Sequence, residues 1–323
     1  MRETYALVGD IGGTNCRLAL VRTDENPLAF YAPHNMRCAE HDSFDAALSA
    51  YLNGAAGGLR VDRAVLAVAG PVVDGRVDMT NHPWTVTEAR LSSVTGGSAR
   101  LINDYAALAY AAPALTDGDL RTVGPVLDRW AEGTIAVLGA GTGFGVSALV
   151  RDNGQEAALV GEGGHVAFAP TDAVETDVLR ILQARFGRVS VERLLSGPGL
   201  LNLHQALSEI QGVTPTYRSP DAVTAAAAAG EARAVECTER FCAILGSVAG
   251  DFALAYGARG GVQIAGGVSQ LLLATPAAAA FRPRFEDKGR FRTYLAGIST
   301  TVVLHPQAAL VGAARALRML ETA

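Results

Sequence analysis

Lysine is almost missing from this chain. Of the 27 basic residues among 323, only Lys288 is a lysine and the others are arginines. The residue after Lys288 is a glycine, not a serine or threonine, so the sequence contains no Walker A lysine and no phosphate loop of that type. If this protein grips a phosphate, it must do so without a lysine.

Cysteine, long apolar runs and basic clusters are also scarce. Only Cys237 and Cys242 lie close together, and their spacing suits neither a zinc knuckle nor a redox pair, so we predict reduced thiols in a cytoplasmic protein. No apolar run approaches the ~20 residues of a membrane span, and no signal sequence precedes the first strand. We therefore expect no membrane association. A net charge of -5 without a basic cluster predicts no nucleic-acid partner.

Glycine is plentiful, and it is concentrated in two similar turns. The sequence Leu-Val-Gly-Asp-Ile-Gly-Gly-Thr-Asn at 7–15 resembles Val-Leu-Gly-Ala-Gly-Thr-Gly-Phe-Gly at 137–145, and both lead into Ala-Leu-Val, at 19–21 and 148–150. Glycines permit positive φ and let backbone N–H groups approach an anion. The repeat predicts a duplicated phosphate-binding hairpin in two similar halves that face one nucleotide. A tight β-hairpin with no ligand is the alternative for each turn.

The predicted nucleotide contacts follow from these turns. They are Gly9, Asp10, Ile11, Gly12, Gly13 and Thr14 in the first, and Gly139, Gly141, Thr142 and Gly143 in the second. The Asp10 carboxylate would repel phosphate unless Mg²⁺ or its water shell lies between them, so Asp10 is the candidate metal ligand. No third glycine opens a helix after the second turn, which argues against a dinucleotide fold.

The length and the pattern of apolar residues predict a two-domain α/β protein with mixed sheets. We expect a small domain at 1–113, a large domain at 114–306, and a C-terminal helix within 307–323 that packs back on the small domain. The predicted strands are 5–9, 16–22, 63–69, 99–102, 261–265 and 300–304. The predicted helices are 43–53, 104–112, 172–186, 191–195, 199–210 and 221–257.

Asn103 and Asp104 stand where a predicted strand ends and a helix begins. An aspartate there is often only a helix cap. Ligands also bind at the carboxyl ends of strands in open α/β sheets, where a carboxylate could take the proton from an attacking hydroxyl group.

Three other segments carry candidate ligand contacts. Glu162 and His165 flank two glycines, either as a solvated loop or as a hydrogen-bonding arm for a polyhydroxylated ligand. Glu192 could simply favour a helix N-terminus through the dipole. Ala265, Gly266 and Gly267 follow a strand, either as a tight turn or as bare backbone facing an adenine or ribose.

The ordered set of these motifs resembles the bacterial hexokinase-like glucokinases of the actin/sugar-kinase superfamily. The resemblance covers essentially the whole chain. It rests on Tyr-Ala-Leu-Val-Gly-Asp-Ile-Gly-Gly-Thr-Asn at 5–15, Met-Thr-Asn-His at 79–82, Ile-Asn-Asp at 102–104, Gly-Ala-Gly-Thr-Gly at 139–143, Gly-Glu-Gly-Gly-His-Val at 161–166, Ser-Val-Glu-Arg-Leu-Leu-Ser-Gly-Pro-Gly-Leu at 190–200, Ala-Gly-Gly at 265–267 and Phe-Glu-Asp-Lys-Gly-Arg-Phe at 285–291.

The resemblance implies an actin/hexokinase-like (ribonuclease H-like) fold with a cleft between two domains, and a homodimer. It implies a glucokinase that transfers the γ-phosphoryl group of ATP, with Mg²⁺, to the 6-hydroxyl of glucose as the first step of glycolysis. Asp104 looks like the general base, while Asn103, Glu162, His165 and Glu192 match the sugar contacts. Ala265 to Gly267 match the adenosine region. The alternatives are another hexose or phosphoryl donor on the same fold, or a sugar-sensing protein without catalysis.

Overall fold

A computed structural model of the chain describes residues 4–22, 29–79, 82–127 and 132–318. It divides into two compact units, which we call unit 1 (Met1–Leu115 with His305–Ala323) and unit 2 (Thr116–Leu304). None of the helices in the described ranges is long and apolar enough to cross a membrane. The predicted motif at 79–82 falls partly on residues 80 and 81, and the end of the predicted C-terminal helix falls on 319–323, which lie outside the described residues.

Thirteen strands are found in the described part of the chain. In order they are β1 (Tyr5–Ile11), β2 (Asn15–Arg22), β3 (Phe30–Arg37), β4 (Val61–Val68), β5 (Arg76–Asp78), β6 (Thr85–Thr87), β7 (Ser98–Asn103), β8 (Leu120–Thr122), β9 (Ile135–Ala140), β10 (Phe144–Asp152), β11 (Gln155–Gly161), β12 (Gly261–Ile264) and β13 (Thr300–Val303).

Eleven α-helices accompany these strands in the described ranges. They are α1 (Phe44–Asn53), α2 (Glu88–Thr95), α3 (Asp104–Ala111), α4 (Ala173–Phe186), α5 (Gly197–Ile210), α6 (Pro220–Ala228), α7 (Ala232–Tyr256), α8 (Gly267–Leu272), α9 (Phe281–Glu286), α10 (Arg292–Ala296) and α11 (Ala308–Ala316). Short 3₁₀ turns occur between them, among them Gly163–His165 and Val191–Arg193.

The main sheet of unit 1 has the strand order β3-β2-β1-β4-β7. Strands β3, β2 and β1 pair antiparallel, whereas β4 pairs parallel to β1 and β7 parallel to β4. The central strands are almost wholly buried because helices cover both faces of a sheet of this kind. Helix α11 lies on this sheet with Leu310 and Ala313 among Ala6, Val8 and Val65.

The main sheet of unit 2 repeats this arrangement. Its strand order is β11-β10-β9-β12-β13-β8, with an antiparallel set of three followed by β12 and β13 parallel to β9, and β8 closing the edge antiparallel to β13. Each glycine-threonine turn joins the central strand to its antiparallel neighbour, β1 to β2 and β9 to β10. The predicted duplication is therefore confirmed at the level of topology.

The largest core belongs to unit 2 and is built around the 25-residue helix α7. Two glycines on α7 allow close packing, since a Cβ on Gly246 would lie 2.1 Å from the carbonyl oxygen of Phe281, and one on Gly250 2.5 Å from that of Phe285. The single lysine stabilises this contact, because Lys288 Nζ lies 2.7 Å from Asp251 Oδ1 and donates to Ser247 Oγ at 3.1 Å. Lys288 thus serves packing in unit 2.

The four cysteines are free thiols, as predicted. Cys16 and Cys38 are buried in unit 1, and Cys237 and Cys242 are buried along α7 in unit 2. Burial raises the pKa of Cys16 and of Cys242 to about 12 in each case. These thiols are therefore protonated and unreactive in the folded protein.

Several predicted elements were wrong or missing. The single helix predicted at 221–257 is two helices, α6 and α7, because the chain turns at Gly230 with a φ of +82°. The segment predicted as helical at 191–195 is one 3₁₀ turn. The edge strands β3, β8 and β11 were not predicted at all.

Candidate active site

The first glycine-threonine turn, Gly12–Thr14, is held by two backbone hydrogen bonds and a thiol. The N–H of Gly12 donates to the carbonyl of Asn15 at 2.9 Å, the N–H of Cys38 donates to the carbonyl of Thr14 at 2.9 Å, and Cys38 Sγ donates to the carbonyl of Gly12 at 3.3 Å. Within the described residues, the N–H groups of Gly13 and Thr14 donate to no acceptor. Two free N–H groups in one turn form a suitable receptor for an anion.

Positive φ, which we predicted for these glycines, is not used in the first turn. Gly9, Gly12 and Gly13 are absent from the residues with positive φ. Gly9 lies inside β1 and is buried, and a Cβ there would lie 2.6 Å from Leu66 Cδ2 and 2.8 Å from Leu18 Cδ2. Glycine is therefore needed at position 9 because a side chain there would collide with these two leucines.

Asp10 at the end of β1 faces Arg17 on β2. The two residues are opposite one another in the antiparallel register, and Arg17 Nη1 lies 2.8 Å from Asp10 Oδ2. Burial raises the pKa of Asp10 above its ordinary value, while the charge and hydrogen bond of Arg17 lower it. Asp10 is thus a carboxylate paired with a guanidinium group.

Asn103 is the N-cap residue of helix α3, and Asp104 shares in the capping. Asn103 Oδ1 accepts the N–H of Tyr105 at 2.9 Å, and its Nδ2 donates to the carbonyl of Gly70 at 3.2 Å. The Asn103 amide is therefore fixed at both ends, and its side chain also forms a hydrogen bond to the Asp104 carboxyl group that lowers the pKa of Asp104. Asp104 is the first residue of α3, and its Oδ1 also accepts the Tyr105 N–H at 2.9 Å.

The pKa of Asp104 is raised from 3.8 to about 6. Burial is the main cause, the negative charge of Asp10 adds to it, and the hydrogen bond from the Tyr105 N–H opposes it. Asp10 at the end of β1 and Asp104 directly after β7 are thus close enough for the charge of one to shift the pKa of the other. A carboxylate with a pKa near neutrality is well matched to general base catalysis.

The second turn, Gly141–Gly143 in unit 2, is built in a similar way. The N–H of Gly141 donates to the carbonyl of Gly143 at 2.8 Å, and the N–H of Gly197 at the start of α5 donates to the carbonyl of Gly141 at 2.8 Å. In the described part of the chain, the N–H groups of Thr142 and Gly143 donate to no acceptor. Both turns therefore present two adjacent free donors.

The segment Ala265–Gly267 lies against the strand that leads into the second turn. A Cβ on Gly139 would lie 1.8 Å from the carbonyl oxygen of Ala265, and one on Gly266 2.3 Å from that of Ala140. The N–H of Ala140 donates to Ser269 Oγ at 2.8 Å. This segment is the tight turn between β12 and α8, and only glycine permits so close a backbone contact.

Glu162 and His165 project from a loop that two glycines fix to β10. Gly163 and Gly164 are buried, and a Cβ on Gly164 would lie 2.1 Å from the carbonyl oxygen of Phe144. The side chains of Glu162 and His165 remain exposed. Arg188 Nη2 donates to the carbonyl of His165 at 2.7 Å and secures the end of the loop.

Glu192 lies in a 3₁₀ turn beside that loop. The N–H of Val191 donates to the carbonyl of Val166 at 3.0 Å, which ties the two segments together. Glu192 Oε2 accepts the N–H of Phe144 at 2.8 Å, directly after the second turn. Unit 2 thus brings Glu162, His165 and Glu192 to the same strand end as the second turn.

Sequence reasoning missed several residues that shape these sites. Arg17 could have been found, because it stands opposite Asp10 when the two strands are folded into a hairpin around the turn. Nothing in the sequence pointed to Cys38, Arg188 or Ser269, which act through contacts between distant segments. No cluster of three or more histidine, cysteine, aspartate or glutamate side chains that could hold a metal ion occurs within the described ranges.

Comparisons with known proteins agree on one family. The family model described as Glucokinase matches residues 7–320. The chain is 48% identical over 313 residues to a glucokinase of Caulobacter sp. strain K31, covering 96% of this chain and 94% of that protein. It superimposes with a TM-score of 0.88 and 34% identity on a glucokinase from an Antarctic psychrotroph, covering 98% and 99% of the two chains.

A more distant structure has the same fold. It is a ROK family glucokinase from Streptomyces griseus in complex with glucose and AMPPNP, at a TM-score of 0.63 and 18% identity, covering 98% of this chain and 99% of that one.

Proposed function

This chain belongs to the glucokinase family, and on that premise we propose how its residues divide the work of transferring a phosphoryl group to glucose. The family consists of sugar kinases, and the fold is that of the actin-like ATPases. The observation that carries the proposal is Asp104. It is a partly buried carboxylate at a strand end, with a pKa of about 6, beside an asparagine fixed at both ends of its amide.

We assign Asp104 as the general base. It accepts the proton of the glucose 6-hydroxyl as that oxygen attacks the γ-phosphorus of ATP, and glucose 6-phosphate and ADP result. The Tyr105 N–H holds one carboxylate oxygen in place, and the neighbouring Asp10 charge keeps the base from being too weak. Positioned proton acceptors typically contribute ~10²–10⁴ in rate.

The sugar contacts proposed are Asn103, Glu162, His165 and Glu192. Carboxylates and amides suit a pyranose because each sugar hydroxyl both donates and accepts a hydrogen bond, and a group matched to each hydroxyl rejects analogues that lack it. Support comes from the exposed side chains of Glu162 and His165 on a loop that is itself fixed, and from the half-buried Asn103 side chain beside Asp104.

The nucleotide contacts proposed are the two turns and the Ala265–Gly267 segment. The turns supply four free N–H groups, from Gly13, Thr14, Thr142 and Gly143, which suits phosphate oxygens in a chain without a Walker A lysine. ATP as the donor is further supported by the Streptomyces griseus glucokinase, whose structure is a complex with glucose and AMPPNP.

Asp10 fits a magnesium ion as its protein ligand. Mg²⁺ is usually bound through one or two carboxylates together with water and substrate phosphates, not in a cage made only of protein. Asp10 stands beside a turn with free donors for phosphate, and the described residues contain no larger acidic or histidine cluster. The ion, when bound, neutralises charge on the phosphate oxygens. Arg17 balances the Asp10 carboxylate in its absence.

We further propose that the protein works in the cytoplasm, as a homodimer, at the first step of glycolysis. Four free thiols support a reducing compartment. The homodimer rests on the family resemblance, and sedimentation of the purified protein tests it.

A phosphorylation panel tests the proposed reaction. Purified protein is given glucose, mannose or fructose with ATP, ADP or polyphosphate, and sugar phosphate is measured. We expect the highest kcat/KM with glucose and ATP, and almost none for Asp104→Asn. A higher kcat/KM for another pair, or no turnover with any pair, contradicts the proposal.

A further inference from the structure

The backbone of Phe144 lies between the second phosphate turn and the two sugar-binding segments of unit 2. Its N–H donates to Glu192 Oε2 at 2.8 Å. Its carbonyl oxygen lies so close to Gly164 that a Cβ there would approach within 2.1 Å. Phe144 also follows directly on Gly143, the last residue of the turn. The backbone of this one residue is thus in contact with all three elements.

The segment that carries Glu192 holds the turn at two further points. The N–H of Gly197 donates to the carbonyl of Gly141 at 2.8 Å, and a Cβ on Gly143 would lie only 2.6 Å from Glu192 Oε2. Glu192 is itself held from behind, because Ser196 Oγ donates to its carbonyl oxygen at 2.8 Å. The position of the Glu192 carboxylate and the shape of the turn therefore depend on each other.

The two oxygens of the Glu192 carboxylate are used differently. Oε2 accepts the Phe144 N–H, whereas Oε1 accepts no hydrogen bond from any residue that the structure describes. The residue is half-buried, so Oε1 is open to a hydroxyl donor. A carboxylate of this kind can accept from the backbone and from a ligand at the same time.

We propose that Glu192 is a positioning residue that couples glucose binding to nucleotide binding through the backbone of Phe144. This inference rests on the proposed function, in which Glu192 contacts the sugar. A glucose hydroxyl that donates to Oε1 restricts the carboxylate to the orientation in which Oε2 holds the Phe144 N–H. The free N–H groups of Thr142 and Gly143 are then held in place before phosphate arrives. Coupling between two ligands is reciprocal, so nucleotide tightens glucose by the same factor.

Glu162 offers a matched control. It is also a glutamate among the proposed sugar contacts, but among the described residues it makes no hydrogen bond to the second turn. A coupling that arises from movement of the whole protein would be reduced equally by the loss of either sugar contact. A coupling through Glu192 would be reduced only by changes at Glu192.

The experiment measures the Kd of glucose by calorimetry with and without a saturating nonhydrolysable ATP analogue. For the wild type we expect the analogue to tighten glucose by a factor of roughly 5–150. Glu192→Gln and Glu192→Asp should bring this factor to within about twofold of one, and Glu162→Gln should weaken glucose while keeping the wild-type factor. Loss of the factor in Glu162→Gln as well, its retention in the Glu192 variants, or its absence from the wild type overturns the proposal.

A second measurement uses the wild type alone and covers the case in which a Glu192 variant binds no glucose or does not fold. Amide hydrogen exchange at Phe144 should slow when glucose is added without nucleotide. Unchanged exchange at this amide, with glucose bound, overturns the coupling while the proposed function stands. A wild type that binds no glucose overturns the proposed function itself.

Discussion

Replacing Asp104 by asparagine should inactivate the enzyme and at the same time make the folded protein more stable. Asparagine has nearly the same shape, and its side-chain oxygen can still accept the Tyr105 N–H that Asp104 Oδ1 accepts at 2.9 Å. It cannot take a proton from a sugar hydroxyl. We expect kcat to fall by ~10²–10⁴, with the affinity for ATP nearly unchanged.

The gain in stability follows from the pKa of Asp104. Its value in the folded protein is about 6, against an ordinary value of 3.8. Each pKa unit corresponds to about 1.4 kcal/mol, so ionised Asp104 destabilises the folded state by at most ~3 kcal/mol. Because the residue is partly exposed to water, we expect a gain of ~1–3 kcal/mol for Asp104→Asn at about pH 7.5.

The sign of the pH dependence is fixed by the same shift. A carboxyl group with a raised pKa binds its proton more tightly in the folded state, so its contribution to stability is lost as the pH rises from about 4 to about 6. The difference between the variant and the wild type should therefore be largest above about pH 7 and fall towards zero near pH 4. The kcat/KM for glucose should rise with pH through the same pKa.

Urea denaturation at two pH values, together with a coupled kinase assay, measures both effects. Asp221→Asn is the matched control, because Asp221 lies in the first turn of helix α6 but is exposed. It should keep full activity and gain no stability. Loss of activity in Asp104→Asn without a gain in stability would refute the account of its pKa, and a gain in stability with retained activity would refute its role as the base.

Three further substitutions, one of them with a control variant, test other parts of the protein. Glu162→Gln should raise the KM for glucose roughly tenfold or more in steady-state assays. A change in the KM for ATP alone would show that Glu162 is not a sugar contact. Gly139→Ala should lower the free energy of unfolding by about 1–3 kcal/mol or more, because its Cβ would lie 1.8 Å from the carbonyl oxygen of Ala265. Gly141→Ala is the control, because the space around Gly141 is open, and it should change the free energy of unfolding by less than ~0.5 kcal/mol. Equal losses in the two variants would show that the close contact between Gly139 and Ala265 is not the cause. Glu175→Gln should cost roughly 3–5 kcal/mol in urea denaturation, since its fully buried carboxylate faces two arginines at 2.9 and 3.5 Å; unchanged stability would show that the pairs contribute nothing.

The residues at the strand ends could be read from the sequence because local chemistry marks them. The two glycine-threonine turns interrupt continuous apolar runs, and those runs are the fully buried central strands β1 and β9. Asn103 and Asp104 likewise stand at a change from strand to helix pattern. What the sequence could not decide was which of the two caps the helix, since both side chains can do so.

The edge strands β3 and β11 could not be predicted because few of their side chains are buried. Strand β3 contains a proline and three consecutive exposed residues, so it shows no alternation of apolar and polar side chains. Strand β11 is mostly exposed, and it too lacks an alternation of apolar and polar side chains. In both cases the neighbouring strand supplies the hydrogen bonds, and backbone pairing of this kind leaves no pattern of side chains in the sequence.

Contacts that join the site's segments were also beyond the sequence. Glu192 precedes a helix, and its position alone suggests a dipole interaction. Its actual partner, the N–H of Phe144, is 48 residues away. The same holds for Ser269 and Ala140, which are 129 residues apart. Such pairs depend on the register and packing of whole strands.

The buried thiols give each unit its own natural probe of unfolding. Unit 1 contains Cys16 and Cys38, and unit 2 contains Cys237 and Cys242, all protected by burial. A thiol reagent can modify them only when the surrounding structure opens. Labelling rates read out by mass spectrometry would thus follow the opening of each unit separately, in the unmodified protein and without an engineered reporter. The same labelling experiment with glucose or a nucleotide added would show which pair of thiols each ligand protects first.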